Sequence, residues 1–168
     1  MLGTDVPSPE ALTRKYFNRV YGFCRLLLRD EADVEDACQE VFLTVSLRRR
    51  ELSQLRDPWA WLMKITRLTC LYLRRKRSRL EPADPEEAVD PAGDDSPAAG
   101  SPLRREEMGR VWAAMKRLPP RYREVLALHY QQDLAQEEIS EVMDLSRGAV
   151  RVLLHRATVR LRQEVRWP

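Results

Sequence analysis

Residues 137–157, EEISEVMDLSRGAVRVLLHRA, hold two helical patterns joined only by Asp144-Leu145-Ser146. Ile139, Val142 and Met143 recur at helical spacing while Glu137, Glu138 and Glu141 fall on the other side, as in an amphipathic helix ending near Met143. Leu145 has the spacing of a buried turn residue. Ser146 can accept a hydrogen bond from the first free amides of a second helix beginning near Arg147. That helix has Val150, Leu153 and Leu154 as its apolar set, leaving Arg147, Arg151, His155 and Arg156 on other parts of its surface. With so short a connection the helices cross steeply, and a steep pair with a basic second member reads as a helix-turn-helix. The plain alternative is a packed helical pair with a solvated basic face. Small Ser140 at the crossing and apolar residues on both sides of the turn count against it. Gly148 costs about 1 kcal/mol of helix propensity relative to alanine, a bearable cost in a first turn, and its missing side chain lets a DNA backbone approach.

Charge divides the chain around this motif. The net charge of +3 conceals 16 Lys/Arg against 10 Asp/Glu in residues 1–80, none against seven in 81–102, and 13 against nine in 103–168. The middle stretch, EPADPEEAVDPAGDDSPAAGSP, has five prolines, two glycines and almost no large apolar residue, so it cannot bury enough surface to fold. It reads as a flexible acidic linker between two basic lobes.

The N-terminal lobe reads as helices. Ser8-Pro9-Glu10 supplies a cap and a proline at the first helical position, and Leu12, Tyr16, Val20, Phe23 and Leu27 follow at helical spacing. A second helix is predicted from about Asp33 to Leu47, with Val34, Ala37, Cys38, Val41, Phe42 and Val45 inside. Glu35, Asp36, Gln39 and Glu40 make an acidic, amide-bearing surface. The helix dipole accounts for carboxylates in the first turn, but not for Gln39 and Glu40 further in. After the polar stretch LRRRELSQLRD, Asp57-Pro58 opens a third helix with more apolar residues than one stripe can hold: Trp59, Trp61, Leu62, Ile65, Leu68, Leu71 and Leu73. Part of that surface should remain available. The helix ends with Arg74, Arg75, Lys76, Arg77 and Arg79, more positive charge than dipole compensation requires and a density typical of phosphate binding. In the C-terminal lobe, Met108, Val111, Trp112, Met115 and Leu118 form a helix closed by Pro119-Pro120, and Arg121–Tyr130 forms another before the helix-turn-helix.

Other chemistries find little support. Cys24, Cys38 and Cys70 are odd in number, lack a CxxC pair and lie on apolar helical faces, which suits reduced core thiols. His129 sits beside core positions and His155 on the basic face. No Gly-rich phosphate loop, metal-spaced cluster or nucleophile with a base is present, so neither an enzyme nor a cofactor is expected. No apolar run approaches the roughly 20 residues needed to cross a membrane. The start MLGTDVPSPEAL has no basic stretch followed by an apolar one, and a cytoplasmic location is expected.

In order and spacing these pieces resemble the extracytoplasmic-function (ECF) subfamily of bacterial RNA polymerase sigma factors. In the first lobe the resemblance rests on DVEDACQEVFLTV, WLMKITR and LRRKR. In the second it rests on LPPRYREVLALHY, QEEISEVMDLSRGAVRVLLHRA and the closing Leu161-Arg162. It covers nearly the whole chain apart from the linker and the first residues. It implies an all-α protein of two small helical domains: sigma region 2 over 1–80, the linker over 81–102, and sigma region 4 with its helix-turn-helix over 103–168.

The resemblance also implies partners. Asp36, Gln39 and Glu40 would dock on the clamp helices of the largest subunit of core RNA polymerase, and region 4 on the flap of the second-largest. The segment from Leu52 into the third helix would recognise and open the promoter −10 element, with Trp59, Trp61, Lys64, Arg67, Arg74, Arg75, Lys76 and Arg77 at the DNA. Ser146, Arg147, Arg151, Val152, His155 and Arg156 would bind the −35 element in the major groove, where the planar fork of arginine suits guanine edges and phosphates. An anti-sigma factor, often membrane-linked in such systems, would be a further partner, and no small-molecule substrate is implied. The chain also departs from the family pattern. Leu68 replaces an asparagine common in −10 recognition, the usual aromatic and glycine are missing from LRRRELSQLRD, Ala149 stands where threonine is common, and Asp144 stands where the turn usually has glycine. Aspartate tolerates the left-handed backbone such a turn requires. A polymerase-independent helix-turn-helix regulator is the alternative, and it leaves the acidic helix and the N-terminal lobe unexplained.

Overall fold

The structure, a computed structural model, describes residues 8–55, 57–80 and 102–165. The predicted linker falls outside the described residues except at Pro102, as does Arg56. Among the described residues every regular element is helical, and the chain divides into two compact units, one chiefly of residues up to 83 and the other chiefly of residues from 84 on.

The first unit is built on α1 (Pro9–Leu27), α2 (Glu31–Leu47), the single turn α3 (Arg49–Leu52) and α4 (Pro58–Leu80). Ser8 caps α1, its Oγ accepting the Ala11 N–H at 3.1 Å. Asp57 does the same for α4 by accepting the Trp59 N–H at 2.9 Å. The second helix starts two residues earlier than its apolar periodicity predicts, because Glu31 and Ala32 carry no core side chain to mark the first turn. A short helix replaces the irregular segment expected after α2, since Leu52 is buried and draws the chain back onto the bundle. Leu52, where the expected −10 segment begins, is therefore a core residue.

Val20, Phe23, Val41, Val45 and Met63 are fully or almost fully buried where α1, α2 and α4 meet. Thr66 shares that interior and satisfies its hydroxyl by donating to the Leu62 carbonyl at 2.8 Å. All three cysteines are free and buried, one from each long helix. The Cys38 thiol is held well above its ordinary pKa, first by its hydrogen bond with Cys24 and then by burial. For Cys24 the bond with Cys38 acts downward, but the bond with Cys70 and burial outweigh it, and this thiol is raised too. Both are small core groups in the protonated state.

Trp59, expected at the DNA from the resemblance, is only 6% exposed. Its ring stacks on Tyr16 at 4.8 Å, and the Arg19 guanidinium also lies over it at 4.1 Å. The indole is thus an internal wedge between α1 and α4. Phe42 shows the reverse: expected in the core, it is only half-buried and stacks at 6.0 Å on the exposed Phe17.

The second unit comprises α5 (Pro102–Lys116), α6 (Pro120–Leu126), a π-helical turn (Ala127–Gln131), α7 (Gln136–Met143) and α8 (Arg147–Glu164). Val125, Leu126, Leu128, Ile139 and Val150 are fully buried, and α6 packs along α8. The helix predicted to run to Tyr130 is α-helical only to Leu126 and widens into the π turn. The Gln132 amide bonds back to Ala127, the Leu134 amide reaches Leu128, and Asp133 takes φ 54°. The His129 Nδ1–H donates to the Leu134 carbonyl at 3.1 Å, which gives this histidine a structural role. At the other end of α8, Arg117 pairs with Glu164 at 3.4 Å and ties α5 to the last turn.

Replacing Trp59 by alanine should cost about 3–5 kcal/mol, the range for deleting a buried large aromatic. Urea unfolding monitored through the first unit should read this directly, and a loss under 1 kcal/mol would contradict the wedge.

Candidate nucleic-acid and protein interfaces

In the second unit the turn between α7 and α8 sets the aim of the basic helix. Asp144 adopts φ 54°, ψ 51°, the left-handed conformation anticipated for an aspartate replacing glycine. The Leu145 amide closes the turn on the Ser140 carbonyl at 3.0 Å, and Leu145 itself is half-buried. Ser146 then caps α8 by accepting the Ala149 N–H at 3.2 Å. At α7, the Glu138 carboxylate accepts the Ala135 N–H at 2.7 Å. With α8 held this way, Val150, Leu154 and Ala157 face inward. At about 100° per residue, Gly148, Arg151, Val152, His155 and Arg156 then share the outward half, Arg147 lies beside the cap in the first turn, and all are exposed. Every residue expected at a −35 element thus lies on one accessible face or at its N-terminal cap. Val159 continues that face, and with Tyr122, His155, Arg156, Arg160 and Gln163 it lines an open groove of about 330 Å³ on the flank of α8. Sequence reading missed Val159, Arg160 and Tyr122, because Tyr122 reaches the groove from α6.

In the first unit, Asp36, Gln39 and Glu40 form one exposed ridge of α2, as their i, i+3, i+4 spacing requires. Leu43 and Leu47 extend it, 55% and 78% exposed, so that the ridge is polar at its start and apolar at its end. Spacing from Gln39 and Glu40 could have revealed both leucines.

The rotation of α4 sorts the predicted DNA residues. Trp59, Leu62, Met63, Thr66 and Cys70 occupy its buried side, and Arg77, seven residues after Cys70, continues the same stripe past the end of the apolar core. There its guanidinium donates to Asp33 and lies 2.6 Å from the Asp30 carboxylate. The bond with Asp33 and then that with Asp30 push its pKa further above the ordinary arginine value. Asp30, which precedes α2, makes no side-chain hydrogen bond to its own helix and serves this pair instead. Arg77 therefore bridges α4 and the start of α2, and its side chain remains 43% exposed. Lys64, Arg74, Arg75, Lys76 and Arg79 are exposed, Arg67 and Trp61 half-buried.

Residues 12–80 match the profile of Sigma-70 region 2, and residues 108–161 match that of Sigma-70, region 4. The chain is 31% identical over 144 residues to the ECF RNA polymerase sigma factor SigF of Caulobacter vibrioides, an alignment spanning 86% of this chain and 77% of that protein. The chain belongs to the ECF sigma-factor family. It is also 32% identical to the probable RNA polymerase sigma factor RfaY of Xanthomonas campestris pv. campestris over 98% of its own length, but it spans only 44% of that protein. Among solved structures, the sigma factor RpoE of Bartonella quintana, crystallised with the anti-sigma factor NepR, has the same fold, with TM-score 0.75 at 18% identity over 92% of this chain and 94% of that one. Region 2 thus contains the α2 ridge and α4, and region 4 contains α7 and α8.

In this ECF chain the left-handed Asp144 predicts a specific substitution pattern. Asp144→Ala should lose about 1 kcal/mol, since alanine lacks the polar group that eases this backbone region, whereas Asp144→Gly should stay within about 0.5 kcal/mol of the parent. Thermal unfolding of both variants checks the order.

Proposed function

We propose that this chain binds core RNA polymerase, recognises promoter −10 and −35 elements and directs transcription initiation as a sigma factor. The observation that carries the proposal is the exposed Asp36–Gln39–Glu40 ridge with its apolar extension, a protein-docking surface separate from the cationic faces of α4 and α8. A regulator needing only DNA would have no use for it. The ridge docks on the clamp helices of the largest polymerase subunit, and the second unit also engages the flap of the second-largest. In the major groove, Arg147, Arg151, Val152, His155 and Arg156 meet −35 base edges and phosphates. The outward face of α4 takes the −10 element, with Lys64, Arg75, Lys76 and Arg79 on the backbone. The acidic residues 81–102 connect region 2 to region 4. Phosphodiester chemistry belongs to the polymerase, and the chain contributes no catalytic group.

Control by an anti-sigma factor is part of the same reading, supported by the RpoE–NepR complex of shared fold. Such a partner would mask the DNA surfaces and could hold the chain near a membrane. Among the described residues no helix is long and apolar enough to cross one. The working location is the cytoplasm, on the nucleoid when polymerase is engaged.

Run-off transcription with purified core polymerase and a library of random promoters tests the proposal. With the chain added, new transcripts should begin downstream of a shared pair of elements. If polymerase neither binds the chain nor initiates anywhere new, while the chain alone binds DNA sequence-specifically, the regulator reading replaces this one. A second measurement separates the basic residues of α4. In holoenzyme–promoter binding, Arg75→Ala should reduce the salt slope by about 1, whereas Arg77→Ala should leave the slope unchanged, its guanidinium being engaged by Asp30 and Asp33.

A further inference from the structure

The basic end of α4 contains an arginine whose charge is already engaged. Arg74, Arg75, Lys76, Arg77 and Arg79 are all exposed, yet the fork of Arg77 is shared by two carboxylates of another helix turn. One terminal nitrogen donates to Asp33 and the other lies 2.6 Å from Asp30, so both ends of the planar group are occupied. Stability accounts poorly for this arrangement, because ion pairs so exposed contribute little to it. Capping does not account for it either. Asp30 precedes α2 without making a side-chain hydrogen bond to that helix, and Asp33 in the first turn keeps its favourable place in the helix dipole with or without an arginine. The two bonds orient α4, but they also place negative charge within a run of cations, and that subtracts from the attraction of this end for a polyanion.

We infer that Asp30 and Asp33 restrain sequence-independent DNA binding by holding the Arg77 guanidinium away from phosphates, so that two acidic residues outside the basic surface set its strength. The inference deepens the proposed function and rests on it only in taking the basic end of α4 as a surface for the DNA backbone. A phosphate can recruit Arg77 only by displacing both carboxylates, and it then replaces two charge-assisted bonds with its own. The neighbouring cations, among them Arg75, Lys76 and Arg79, meet the backbone while Arg77 stays on α2. Such a restraint has a use. Each phosphate contact tightens binding to every sequence alike, and a genome offers about 10⁶–10⁹ competing sites. A chain with two basic lobes that has to reach core polymerase is better served by weak attachment to bulk DNA.

The test titrates the full chain, without polymerase, onto random-sequence duplex DNA at several salt concentrations between about 50 and 200 mM. Asp30→Asn with Asp33→Asn frees the arginine while keeping the shape of both side chains. The salt slope should steepen by about 0.9, the value of one added phosphate contact, and binding at about 0.15 M salt should tighten about fivefold. Adding Arg77→Gln to the double variant should remove both gains, which separates capture of a phosphate by this guanidinium from a general loss of negative charge. Asp30→Glu with Asp33→Glu keeps the carboxylates and should bind as the parent does. Thermal unfolding accompanies each variant, and should the double variant unfold early, Asp33→Asn alone serves and should show a smaller gain of the same sign. The inference is overturned if removing the carboxylates leaves DNA binding unchanged or weakens it, as a purely structural bridge requires, or if the gain persists undiminished with Arg77→Gln. Failure of the parent to bind core polymerase or to initiate defeats the sigma reading instead, and the DNA titration, which needs no polymerase, still decides the restraint.

Discussion

The rotation of α4 is the constraint on which the first unit's surfaces depend. A helix of this length carries apolar residues on more than one side, and its sequence allows several orientations on α1 and α2. Two features select one. Trp59 packs on Tyr16 and Arg19 at the start of the helix, and Arg77 is bound to Asp30 and Asp33 near its end. Between these anchors Met63, Thr66 and Cys70 follow the buried stripe. Each ion pair is partly exposed, and surface pairs contribute little to stability. Their effect is on orientation: a fork engaged by two carboxylates has few alternative geometries.

Region 4 obtains its orientation differently, from the backbone. Asp144 in the left-handed region and Ser146 at the helix cap fix the direction in which α8 leaves the turn, and Val150 and Leu154 fix its rotation about its own axis. The π turn ahead of α7 belongs to the same device. One additional residue per turn changes the direction of the chain, and His129 and the left-handed Asp133 hold the widened turn in place. Neither unit relies on a disulfide, and the paired thiols of Cys24 and Cys38 stay protonated in their core.

These mechanisms explain what could be read in the sequence. Caps are local, and so Ser8, Asp57-Pro58 and Ser146 announced their helices, while the face of α8 followed from periodicity alone. The ridge of Asp36, Gln39 and Glu40 was legible for the same reason. The burial of Trp59 and the ion pairs of Arg77 were not legible, because an aromatic and an arginine on a basic helix have different surroundings according to which side they occupy. Here that choice was made by Tyr16, Arg19, Asp30 and Asp33, far away in sequence. Leu52 turned inward for a similarly non-local reason. The π turn left no signal, because Ala127–Gln131 has the composition of an ordinary helix.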